Sequence, residues 1–172
     1  MTRRGFHIVG VLALALLLAG CDNTPPSDQE MIDLFQVQRP VFEEIRLRIC
    51  EKTRHEGKES DVGRSQVVMM DPEWSDPLVS DAERIRYYAL FEKTDAKGVQ
   101  ALFHTNNECE VWIEYWSVGW AGDADYKKFL FGAPHQRDQI VDSLDDLQMG
   151  SEIAFYRRPL EAGWWLALDH WP

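Results

Sequence analysis

Residues 109–122, CEVWIEYWSVGWAG, place three tryptophans and two glutamates in one short stretch. Tryptophan beside carboxylate is the composition of a sugar site, where one carboxyl group protonates the leaving oxygen and a second attacks or activates water. Read as a strand, the stretch alternates. Glu110, Trp112, Glu114, Trp116, Val118 and Trp120 fall on one face, and Cys109, Val111, Ile113, Tyr115, Ser117 and Gly119 on the other. Glu110 and Glu114 are then about 13 Å apart along the strand. Paired glycosidase carboxylates sit roughly 5 to 9.5 Å apart, so this pair is not a catalytic acid and base unless a bulge intervenes.

Other chemistry-bearing patterns are weaker. The chain has neither a GxSxG nucleophile elbow nor a P-loop glycine pattern. His55-Glu56-Gly57-Lys58-Glu59 starts like HExxH and ends in glutamate. The histidines at 7, 55, 104, 135 and 170 are scattered, whereas metal ligands come with close partners. Asp123-Ala124-Asp125 opens like a calcium loop, but Lys127 and Lys128 follow where an acid or amide and a glycine are needed. A cluster drawn from distant residues such as His104, Glu114 and His170 stays open. The expectation is no metal, no cofactor and no catalysis.

The amino-terminal segment is more specific. Arg3 and Arg4 precede an apolar run from Phe6 to Ala19, which is short for a membrane span and has the layout of a secretory signal. An uncleaved anchor is the alternative. The run ends in Leu18-Ala19-Gly20-Cys21, which resembles the lipobox of bacterial lipoproteins at every expected position. The resemblance covers the first 21 residues alone. It implies cleavage before Cys21, acylation of that cysteine, and a firm hold on the membrane, since each buried methylene contributes about 0.8 kcal/mol. Asp22 resembles the inner-membrane retention signal of enterobacterial lipoproteins. Other bacteria read different positions, so the outer membrane stays open. The chain is expected to be lipid-anchored and to face the periplasm.

With Cys21 taken by lipid, Cys50 and Cys109 remain as an even pair in an oxidising compartment, and a disulfide between them is predicted. Arg3 and Arg4 are the only basic residues in the signal, so the mature chain has 16 basic against 29 acidic residues, a net charge of about −13. Nucleic acid, which needs a basic surface, is disfavoured. A basic protein partner is favoured, with plain solubility as the alternative meaning of the charge.

Elements follow from periodicity. Met31, Ile32, Leu34 and Phe35 read as a helix broken at Gln38-Arg39, and Val41, Phe42, Ile45 and Ile49 as a second helix from Pro40. Alternation predicts strands over 83–92, 99–103, 109–120 and 126–131, with a short strand near 67–70 and turns at Asp71-Pro72 and Asp76-Pro77. A helix is predicted over 137–148, then a hairpin of 153–158 and 164–170. The expected class is α+β: N-terminal helices on one face of an antiparallel β-meander, with a short helix before a final hairpin. The domains are a signal peptide (1–20), a lipidated tether (21–28) and one globular domain (29–172).

If Cys109 points at the helix carrying Cys50, the odd face of 109–120 is core. Trp112, Glu114, Trp116 and Trp120 are then either covered, by residues 58–81 or by a second helix, or open as a candidate binding surface. The functional expectation is a non-catalytic periplasmic binding protein, with an immunity-type inhibitor of a periplasm-acting toxin as its sharper form. The alternative is an envelope accessory protein that binds glycan or an assembly partner through the aromatic strand.

Overall fold

The computed structural model describes residues 24–56, 58–59, 65–70, 77–104, 106, 108–120 and 123–172. The signal segment, Cys21, Asp22 and the turn at Asp71-Pro72 lie outside the described residues. Among those described, two helices and eight strands make a mixed α+β fold: α1 (Asp28–Glu56), β1 (Lys58–Glu59), β2 (Ser65–Met70), α2 (Asp81–Thr94), β3 (Gly98–Phe103), β4 (Cys109–Trp120), β5 (Asp123–Phe131), β6 (Gln139–Ile140), β7 (Ala154–Pro159) and β8 (Trp164–Trp171). The strands form one sheet in the order β1-β2-β3-β4-β5-β8-β7-β6, and every pairing is antiparallel except β6 with β7. Within 58–81 the described residues supply β1, at the sheet edge, and β2, between β1 and β3.

The expected break before Pro40 is absent, and α1 runs through it. Met31, Phe35, Phe42, Ile45 and Ile49 are all at most 1% exposed and form one stripe. Phe35 and Phe42 are seven residues apart, so the stripe keeps its helical period across the proline. A proline inside a helix costs about 3 kcal/mol. Each large apolar side chain buried returns about 1.5 to 3 kcal/mol, so continuity wins. Pro40 itself faces solvent, where water can satisfy the carbonyl it leaves unbonded.

The expected strand at 83–92 is instead α2. Its start is fixed by a capping box: the Ser80 hydroxyl accepts from the Glu83 backbone N–H, and the Glu83 carboxylate accepts from the Ser80 N–H. Burial follows the helical period through Tyr87, Leu90, Phe91 and Thr94, while Ile85 is 70% exposed. The helix expected over 137–148 is also absent. Only β6 forms there, and the backbone N–H of Leu144 donates to Asp28, a partner outside the segment. The aspartates at 138, 142, 145 and 146 favour local hydrogen bonding over helix.

The core lies between the helices and one sheet face. Val111, Ile113, Phe129, Trp164 and Leu166 meet the α1 stripe there. Trp164 is 1% exposed, and its indole N–H donates to Glu43 on α1 at 2.8 Å. Burial alone would raise the Glu43 carboxyl, but that bond and the Arg46 guanidinium outweigh it and hold it below the usual range. Cys50 on α1 is bonded to Cys109 at the start of β4, with Cα atoms 5.8 Å apart, as predicted.

Candidate functional site

The aromatic strand is not one surface. Trp112 pairs with Leu130 and Glu114 with Lys128, but the register then shifts and Trp116 pairs with Lys127. Tyr115 is the extra residue of a β-bulge, which inverts the alternation beyond it. Trp112 and Glu114 therefore share the face away from the helices, where they border a small pocket with Gln100 and Lys128. Trp116 turns to the opposite face, beside Lys127, Leu144 and Leu168. Trp120 ends the strand opposite Asp123. Of the candidate surface, Trp112 and Glu114 are brought together, and Trp116 is not with them.

A different group converges at the other end of the strand. Glu110 is only 4% exposed, and its carboxylate oxygens face His104 Nε2 at 3.3 Å and His135 Nε2 at 2.9 Å. These residues line a cleft of about 570 Å³ with Glu108, Phe131, Ala133 and Pro134. The scaffold explains the convergence. His104 follows β3, and its backbone N–H bonds the Glu108 carbonyl, closing the β3–β4 connection. His135 sits in the segment after β5, whose path is set at Gly132. With φ at +134°, Gly132 holds a conformation that favours glycine, and a Cβ there would meet Glu110 Cγ at 3.2 Å. The Gly132 carbonyl accepts from the Trp165 indole at 2.8 Å. Beyond it, Asp138 accepts from the His135 backbone N–H and faces Arg157 on β7 at 3.2 Å. Both imidazoles are thus carried on braced backbone.

A second polar cluster sits where the tether meets the domain. Lys127 is 2% exposed and donates to the Pro26 carbonyl at 2.7 Å and to Asp145 at 2.8 Å, with Asp28 at 3.3 Å. Asp28 also accepts from Arg158 and from the Leu144 N–H. Burial would raise the Asp145 carboxyl, yet Lys127 and the Asp28 N–H more than reverse it and hold it low. Nearby, His170 bonds Asp125 at 2.6 Å and the Gly150 carbonyl at 2.8 Å. Both ring nitrogens face acceptors, so the doubly protonated ring satisfies the site, and the Asp125 bond raises its titration above the usual histidine range. The partners in both groups are internal, and those of Lys127 fix the entry of the chain into the fold.

Of the scattered histidines, His104 thus meets Glu110 rather than Glu114, and its companion is His135 rather than His170. The one signal in the sequence was the i,i+6 spacing of His104 and Glu110 across a turn. The contribution of His135 depends on where the chain runs after β5. Among the described residues, no three histidine, cysteine, aspartate or glutamate side chains are gathered to hold a metal ion, and no helix is long and apolar enough to cross a membrane. In comparisons with family models, curated proteins and solved structures, the chain matches none.

Proposed function

We propose that the chain is a lipid-anchored protein of the cell envelope that faces the periplasm and binds a basic protein partner without catalysis, in the manner of an immunity-type inhibitor. The charge distribution carries this reading. Most described arginines and lysines, from Arg39 to Arg158, are ion-paired with carboxylates of this chain. Asp95, Glu108, Asp142 and Asp146 lie exposed with no ion pair among the described residues. The acid excess of the composition is therefore carried at the surface, and such a field steers a basic partner into contact. The anchor at Cys21 rests on the lipobox resemblance, and the membrane on Asp22. In this reading the helix-bearing face of the sheet is structural and the remaining surface is left to the partner. The envelope-accessory alternative keeps Trp112 beside Glu114 as its glycan contact.

The test is co-purification with the product of the neighbouring gene, together with survival of cells that receive that product in the periplasm. A complex whose association slows with salt, and protection that requires Cys21, are expected. Neither complex nor protection would remove the reading.

A further inference from the structure

The Glu110 cleft has a charge imbalance that points to a ligand. A buried carboxylate is costly unless it is paired and hydrogen-bonded. Among the described residues, the side-chain partners of Glu110 are two imidazoles, neither of them a permanent cation. A neutral imidazole donating its Nε2 hydrogen fills one acceptor position on each carboxylate oxygen. An ionised carboxylate offers about four such positions, so one on each oxygen remains. The two oxygens of one carboxylate lining a cleft match the planar fork of a guanidinium better than the point charge of an ammonium. Phe131, Ala133 and Pro134 give an apolar wall for a side-chain stem, and Glu108, exposed at the rim, adds a second negative charge.

The position of the cleft fits a partner site. Thr24 and Pro25 border the cavity that holds Asp125 near the start of β5, whereas Phe131 at the end of β5 lines the cleft. The step of six residues from Asp125 to Phe131 spans about 20 Å along the strand. The cleft thus opens at the end of β5 away from the tether.

We propose that this cleft receives an arginine side chain of the basic partner, with the Glu110 carboxylate as its counter-ion and His104 and His135 as the groups that orient it. The proposal rests on the reading that the partner is basic.

The test titrates the full chain, labelled with ¹⁵N-histidine and held in detergent micelles, with acetyl-arginine-amide and with its citrulline counterpart as neutral isostere. The arginine compound should give saturable shifts of His104 and His135 with a dissociation constant on the order of 1 mM, as fits a fragment of that size. The citrulline compound should give none. Glu110→Gln should abolish the shifts. Ala133→Phe, which fills the cleft from an exposed position without touching the carboxylate, should abolish them in a chain that stays folded. Equal shifts from citrulline, no saturable shift, or shifts that survive both variants would overturn the proposal. In the complex, Glu110→Gln should weaken the partner about 30-fold or more. A partner that binds both variants unchanged would overturn this inference and leave the proposed function standing. Arginine binding at Glu110 without any protective basic partner would do the reverse.

Discussion

Trp112 and Trp116, four residues apart on β4, lie on opposite faces of the sheet, because the strand shifts register at Tyr115 between them. A ligand seated on the open face meets Trp112 and not Trp116. If peptidoglycan fragments bind this strand, Trp112→Ala should remove the binding measured by calorimetry. Trp116→Phe should leave the affinity within about twofold, as expected for an uncoupled site. Comparable losses from both substitutions would contradict the separation of faces.

The Cys50–Cys109 bridge closes a loop over a sequence separation of 59. On the chain-entropy account its loss costs about 4 kcal/mol. Replacing both cysteines by serine should lower the urea midpoint, with a steeper transition because the freed unfolded chain exposes more surface. Because Cys109 also lines the Glu110 cleft, arginine-compound binding should weaken in the same variant. A urea midpoint equal to that of the parent chain would show that the bridge adds nothing to stability.

Lys127 is buried against Asp28 and Asp145 and also holds the Pro26 carbonyl. Lys127→Met leaves the buried Asp28 carboxylate short of one cation, although Arg158 still reaches it, whereas Asp145 is exposed to water. Removing one partner of a buried pair costs about 3 kcal/mol or more. Hydrogen exchange should then rise first at the start of α1, where Lys127 ties the tether. Exchange that rises evenly over the whole chain, or not at all, would contradict this local role.

His170 titrates above the usual histidine value because Asp125 and the Gly150 carbonyl favour its charged form. A folded-state value raised above the unfolded one adds stability that is fully present below about pH 6.5 and is lost as pH rises through the folded value. The urea midpoint should therefore fall as pH is raised from about 6.5, and His170→Gln should flatten that fall. An unchanged slope in the variant would mean that another group causes it.

Burial period and local chemistry disagreed at three places, and each has a physical cause. Pro40 reads as a break when propensity is weighed alone, but the seven-residue step from Phe35 to Phe42 already carried the stripe across it. Residues 83–92 alternate like a strand, yet Ser80 and Glu83 form the capping box that starts a helix. Residues 137–148 have helical apolar spacing, but Asp138 and the Leu144 N–H are drawn to Arg157 and Asp28, partners far along the chain. The strands at 99–103, 109–120 and the last hairpin were legible from alternation and turn residues, although a bulge breaks the period within 109–120 and Trp164–Trp171 is buried almost continuously.

The sequence by itself determined the α+β class, the pairing of Cys50 with Cys109 and the acid excess, because these depend on composition, period and count. Only the tertiary structure decided which faces Trp112 and Trp116 take and which histidines meet a carboxylate. A single bulge at Tyr115 inverts every later side chain, and nothing in the local residue types dictates where the pairing slips. Glu110, His104 and His135 meet because the segment after β5 passes against β4 at Gly132, a contact set by the packing of the whole sheet.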